Sequence, residues 1–264
     1  MGSVSIMNRI NQLFANRPQN LLSLYFCAGA PTLDGTANVI RTLEKNGISM
    51  IEIGVPFSDP MADGPVIQEA ATKALRNGMT INKLFEQLKD IRRDVQIPLI
   101  LMGYLNPVIH FGFERFCQKC VEVGIDGMIL PDLPFKDYME EFKPIADKYD
   151  LRIIMLITPE TSEERIRFID QNTDGFIYMV SSAAITGAQS EFNEAKQAYF
   201  NKVHAMQLMH PTMIGFGISN KQTLESAQAN ANGAIIGSKF VQLLDAANGD
   251  AQKAVDQLYD ALKQ

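Results

Sequence analysis

Histidine and cysteine are both scarce here, three of each in 264 residues, and no tract is rich in lysine or arginine. An odd, small number of cysteines does not build a disulfide framework and suits a reducing compartment. Cys117 and Cys120 form a lone C-x-x-C. On the helix predicted there they share an apolar face with Phe116 and Val121, which favours burial over redox or metal chemistry. His110, His204 and His210 fall in predicted helices or just ahead of a strand, not gathered at strand ends as a metal site requires. A formal charge of −6 without a basic run argues against a nucleic-acid role. No apolar stretch approaches the roughly 20 residues of a membrane span. The N-terminus has no hydrophobic signal core, and Ile6 stands where a myristoylation motif needs Ser or Thr. The expected location is the cytoplasm.

What is present is an ordinary globular composition, 46% apolar and 20% charged, with no Pro/Ser-rich linker or composition shift. One domain over residues 1–264 is expected. After an opening helix near residues 6–15, short apolar runs recur at 21–27, 50–54, 98–102, 127–130, 151–157, 175–180, 212–214 and 233–236. A helical stretch follows each. One of these helices should be capped by Thr32 or Asp34 and stopped by Gly47. Strict alternation implies a parallel sheet with right-handed crossovers, and eight units in about 250 residues imply a closed (β/α)8 TIM barrel with an extra N-terminal helix.

In such barrels the site lies at the C-terminal strand ends. The second strand, Met50-Ile51-Glu52-Ile53-Gly54, carries a carboxylate on one face of an otherwise apolar run. A carboxylate inside a barrel wall is costly unless paired, hydrogen-bonded or protonated, which is how a tuned acid or base is made. Beyond it the loop bears Asp59 and Asp63, and a helix opens at Pro65. Asp132 and the tyrosines Tyr25, Tyr104 and Tyr178 are further polar groups near the barrel mouth. On its loop Asp63 should be the better hydrated carboxylate, so Glu52 and Asp63 could hold different protonation states at one pH. Gly215-Phe216-Gly217-Ile218-Ser219 follows strand seven, and Gly237-Ser238 opens the helix after strand eight. With Gly187 in the strand-six loop, these resemble the phosphate site that barrels build from their last βα loops. No lysine lies in any predicted strand, which leaves a Schiff-base aldolase without a nucleophile, and no Gly-x-Ser-x-Gly elbow occurs. Carboxylate chemistry on a phosphorylated substrate leaves two reaction types open, proton transfer, as in a sugar-phosphate isomerase, and C–C bond chemistry. A non-catalytic binding barrel is a third reading.

The run from Glu52 to Pro65, Glu-Ile-Gly-Val-Pro-Phe-Ser-Asp-Pro-Met-Ala-Asp-Gly-Pro, closely resembles the signature of tryptophan synthase α subunits. Met102-Gly103-Tyr104-Leu105-Asn106-Pro107, Pro131-Asp132-Leu133-Pro134, Thr186-Gly187, Gly215–Ser219 and Gly237-Ser238 follow in the family's order. The resemblance spans essentially the whole chain. It implies retro-aldol cleavage of indole-3-glycerol phosphate to indole and glyceraldehyde 3-phosphate. By that resemblance Glu52 is the general acid-base, and Asp63 accepts a hydrogen bond from the indole N–H. Gly187, Gly217, Gly237 and Ser238 match phosphate-binding positions. Tyr25, Met102, Tyr104, Ile129, Tyr178, Thr186, Phe216 and Ile235 match the substrate pocket. Asp59 would face a β subunit that carries pyridoxal phosphate and receives the indole within an αββα complex, while this chain holds no cofactor or metal. Two loops depart from the common pattern. Ala28-Gly29-Ala30-Pro31 stands where many members have Gly-Asp-Pro, and Ala184 and Gln189 stand where many have Gly and Arg.

Overall fold

A computed structural model describes residues 7–181, 194–215 and 217–263 of the chain. Its eight strands are β1 (Leu21–Cys27), β2 (Met50–Gly54), β3 (Leu99–Met102), β4 (Gly127–Ile129), β5 (Arg152–Ile157), β6 (Ile177–Val180), β7 (Thr212–Gly215) and β8 (Gly233–Ile236). They pair in chain order, all parallel, and β8 returns to β1 to close the barrel. Closure leaves no sheet edge, and with helices outside, the strands are buried on both faces. All five residues of β2 are buried, which is why these strands read as short apolar runs rather than as alternating ones.

Ahead of the barrel lies α1 (Arg9–Phe14), the extra N-terminal helix. The outer helices are α2 (Thr36–Lys45), α3 (Pro65–Arg76), α4 (Ile81–Leu88), α5 (Leu105–Phe111), α6 (Phe113–Val123), α7 (Phe135–Asp137) and α8 (Lys143–Lys148). They continue with α9 (Glu163–Asn172), α10 (Glu194–Ala205), α11 (Lys221–Asn230), α12 (Ser238–Ala246) and α13 (Ala251–Ala261). Pro65 opens α3 at its first turn, where a missing N–H and a fixed φ cost nothing.

Three local expectations are corrected. The N-cap of α2 is Gly35, without a side-chain cap bond, and not Thr32 or Asp34. The Asp34 carboxylate is instead engaged by the Gln87 amide at 3.4 Å. Cys117, Cys120 and Phe116 are buried together, but Val121 is 48% exposed and Val123 takes its place on the inner face. Position 121 lies one step off the stripe that 116, 120 and 123 define at helical spacing. A further helix, α5, follows β3 directly, and its first N–H, on Leu105, is held by both oxygens of Asp132 at 2.9 and 3.2 Å. Asp132 is therefore a cap for α5.

The N-terminal end of the barrel is stoppered by α1. Asn8 caps it by accepting from the Ile10 N–H, and its amide donates to the carbonyls of Asp126 and Asp150 at 2.9 and 2.7 Å. Ile10, wholly buried, packs against two glycines: a Cβ on Gly127 would lie 2.9 Å from Ile10 Cδ1, and one on Gly175 3.3 Å from Cγ2. Beside this plug Asp126, 4% exposed, accepts from Arg9 Nη1 at 3.0 Å, Arg92 Nη2 at 2.5 Å and the Leu99 N–H at 2.9 Å. One carboxylate thus ties α1 and the segment before β3 to the start of β4. Removing it takes the acceptor from Arg92 Nη2 and from the buried Leu99 N–H. Arg92 keeps the carbonyls of Gly124, Val95 and Ile97, so the loss is about 1–3 kcal/mol. Asp126→Ala should lower the unfolding free energy by that amount in urea titration, and a change below 1 kcal/mol would refute the clamp.

Candidate active site

The catalytic candidates gather at the C-terminal mouth of the barrel, around a cavity open to solvent. Glu52 borders it from β2, opposite Tyr25 of β1 in the strand register. Its side chain is 0% exposed, and neither carboxylate oxygen has a hydrogen-bond partner among the described residues. An unsolvated, unpaired carboxylate is costly, so burial pushes its pKa up to about 8. Glu52 is accordingly protonated at neutral pH, an acid with a proton to give.

Asp63 lies on the loop between β2 and α3 and borders the same cavity. It is half-buried, drier than its loop position led us to expect, and desolvation raises its pKa to about 6. The Tyr104 hydroxyl opposes that rise by donating to Asp63 Oδ2 at 2.9 Å. The same hydroxyl accepts from the Ala62 N–H at 3.0 Å, which fastens the loop to the end of β3. At pH 7 the two carboxyl groups hold opposite protonation states, set by burial and by one phenol. Asp59, farther along the loop, is exposed, and the Ser58 hydroxyl donates to it at 2.5 Å. Next to it Met61 is 82% exposed.

Tyr25 and Tyr178 line the cavity, and burial raises both hydroxyls well above the usual phenol range. Each lies over a glycine on the next strand: a Cβ on Gly54 would come within 2.1 Å of Tyr25 Oη, and one on Gly215 within 2.1 Å of Tyr178 Oη. Gly215, grouped above with the phosphate loops, thus serves to seat a tyrosine. Met102 and Ile235 also border the cavity, whereas Ile129 is buried in β4 and does not reach it. Tyr104 borders an adjoining small recess shared with Tyr25, Asp63 and Met102.

Across the mouth, Gly217, Gly237 and Ser238 form the opposite wall. Gly217 has φ +78°, a conformation that favours glycine. Gly237 is the N-cap of α12 and contributes no side-chain cap bond, so the first-turn N–H groups are available to an anion. Ile67, Ile218 and Lys239 complete the wall. Sequence reading missed all three. Only for Lys239 did it hold a signal, a cation directly after Gly237-Ser238. Gly187, Thr186 and Phe216 lie outside the described residues, as do Ala184 and Gln189. Among the described residues no three His, Cys, Asp or Glu side chains are grouped to hold a metal ion.

Loop-borne polar groups collected at the carboxyl ends of eight parallel strands put the chain among the (β/α)8-barrel enzymes. Comparison with known proteins narrows that class. The sequence model of the family described as tryptophan synthase alpha chain matches residues 12–264, and the chain belongs to that family. Its members are carbon–carbon lyases that cleave indole-3-glycerol phosphate in tryptophan biosynthesis. The chain is 70% identical to the tryptophan synthase alpha chain of Phocaeicola vulgatus over 257 residues, 97% of this chain and 100% of that one. Identity to the Bacteroides thetaiotaomicron protein is 66%, with the same coverage. The crystal structure of the alpha subunit from Legionella pneumophila superposes with a TM-score of 0.86 at 34% identity, over 98% of each chain. A tryptophan synthase complex from Pyrococcus furiosus matches with a TM-score of 0.84 at 30% identity, over 93% of this chain and 98% of that one. These relationships set aside the isomerase and the non-catalytic readings.

The Tyr104–Asp63 bond has a measurable consequence. Because the phenol holds the Asp63 pKa down, Tyr104→Phe should raise it above about 6. Carbon-13 NMR titration of the Asp63 carboxyl should show the midpoint moving to higher pH, and a fixed or lower midpoint would refute the assignment.

Proposed function

We propose that this single barrel domain, residues 1–264, performs the retro-aldol cleavage with Glu52 and Asp63 in the two chemical roles. The observation that carries the reading is the pair of unlike carboxyls on one cavity: Glu52 buried and raised to about 8, Asp63 half-buried and near 6. Protonated Glu52 gives its proton to the indole carbon that bears the glycerol chain. The positive charge that develops on the ring nitrogen is met by ionised Asp63, which accepts the N–H hydrogen bond. Glu52, now a carboxylate in a dry site, takes the proton from the side-chain hydroxyl next to that carbon. The hydroxyl oxygen becomes the aldehyde oxygen, the carbon–carbon bond breaks, and its electron pair returns to the ring. Indole and glyceraldehyde 3-phosphate leave with Glu52 reprotonated, so protons and electrons balance over one turnover. Tyr25, Met102, Tyr178 and Ile235 would hold the indole ring, joined by Tyr104, Thr186 and Phe216 from the family pattern, with Ile129 packed behind them in β4. Gly217, Gly237 and Ser238, with Gly187, would hold the phosphate.

We also infer a partner. The chain would act in the cytoplasm as the α subunit of an αββα complex, its β subunit carrying pyridoxal phosphate and receiving the indole. The exposed Asp59 and Met61, on the loop that also carries Asp63, support a docking role for that loop. In this arrangement partner binding reaches the chemistry through the Ala62–Tyr104–Asp63 bonds.

Three experiments test these readings. Glu52→Gln keeps size and hydrogen-bonding shape but cannot donate a carboxylic proton, so indole release should fall by at least about 10²-fold in a protein that still folds. Near-wild-type release would sink the role. In the wild type, kcat/KM should follow a bell, falling below about pH 6 as Asp63 gains a proton and above about pH 8 as Glu52 loses one. A single rising limb through this range would contradict the assignment. The purified chain alone should turn over slowly and accelerate with its cognate β subunit, and equal rates at saturating partner would count against the complex.

A further inference from the structure

The cavity wall contains three charged or ionisable acid and base side chains of the Asp, Glu and Lys types: Glu52, Asp63 and Lys239. The two carboxyls lie on the loop and strand where the indole ring is placed. Lys239 stands with Gly217, Gly237 and Ser238 where the phosphate is placed. It is half-buried, and among the described residues it forms no ion pair with Glu52, Asp63 or any other carboxylate. Lys73, on the neighbouring α3, is by contrast paired with Asp245 of α12.

The position of Lys239 is unfavourable for the chain by itself. It is the second residue of α12, where the helix dipole is positive and a cation is disfavoured. No acidic residue occupies that first turn to offset it. Lys239, the unfilled backbone N–H groups and the positive helix end therefore share one wall, with no carboxylate paired to the lysine among the described residues. The same cavity holds the wholly buried, unpartnered Glu52 carboxyl, which marks the space as a ligand site and not a packing gap.

We propose that Lys239 is a specificity-determining residue for the substrate's phosphate, its ammonium pairing with the phosphate monoester dianion beside the α12 N-terminus. This rests on the function proposed above and adds a charge-reading element to a site otherwise built from backbone N–H groups and a hydroxyl. A glycine-and-helix cradle recognises an anion through dipoles, while a side-chain ammonium also weights the second negative charge. Discrimination between a phosphorylated substrate and its alcohol, and the salt dependence of binding, follow from Lys239.

The test compares the full-length wild type with Lys239→Ala and Lys239→Arg. Calorimetry would measure binding of indole-3-propyl phosphate and of indole-3-propanol, which differs only in lacking the phosphate, and steady-state assays would follow indole release. Lys239→Ala should weaken the phosphorylated ligand by about tenfold or more while leaving the alcohol within about twofold. KM for indole-3-glycerol phosphate should rise more than kcat falls, the salt dependence should flatten, and Lys239→Arg should restore most of the loss. Unchanged binding of the phosphorylated ligand in Lys239→Ala overturns the proposal, and so does equal weakening of both ligands, which would mark a structural role. A wild type that binds the phosphorylated ligand but releases no indole overturns the function and leaves the Lys239 assignment to its binding result. A wild type that binds neither ligand overturns both.

Discussion

A carboxyl group without water or a hydrogen-bond donor keeps its proton at neutral pH, and β2 holds Glu52 in that condition. The barrel makes this possible. A strand paired on both sides and covered by helices has no route for water to reach residue 52 except the cavity itself. Every other feature of the mouth can be read against that dry acid. Asp63 must stay ionised within the same cavity, and it does so because Tyr104 donates to it. Tyr25 and Tyr178 supply apolar walls whose hydroxyls are seated over Gly54 and Gly215, leaving Glu52 without a partner that would lower its pKa.

The acid also sets a thermodynamic tension. Its pKa is about 4.5 where solvated and about 8 in the fold, so between those values the unfolded chain binds fewer protons than the native one. Native stability therefore declines as pH rises through that window, and above about 8 the full penalty of a buried carboxylate is present. The opposite end of the barrel is where the fold is reinforced. Asp126, linking Arg9, Arg92 and Leu99, is paired as fully as Glu52 is unpaired. Two buried carboxyls on one barrel thus divide the work, one stabilising and one held in an unfavourable state for chemistry.

The barrel was legible because a fully paired parallel strand needs apolar residues on both faces, and eight such runs alternate with helical stretches. Glu52 stood out because it breaks one of those runs. The details that were not legible are tertiary. Asp34 and Asp132 both have cap-forming side chains, but only the fold shows that Asp34 meets the Gln87 side-chain amide while Asp132 takes the first N–H of α5, on Leu105. Gly215 looked like a ligand-approach glycine, and its reason is a tyrosine from the adjacent strand. Lys239 escaped notice because a lysine in a helix is ordinarily a solvated surface residue, and only the cavity gives it another meaning.

The α1 stopper has a consequence for traffic. With Ile10 packed against Gly127 and Gly175 and Asn8 bonded to the Asp126 and Asp150 carbonyls, α1 covers the amino end of the barrel. Whatever is consumed and both molecules produced must use one doorway, the mouth framed by the β2–α3 loop on one side and α12 on the other. The order of departure then becomes a matter of geometry: a fragment held at the rim bars the way for one lying deeper. A docked neighbour at that doorway would inherit control over which fragment leaves first.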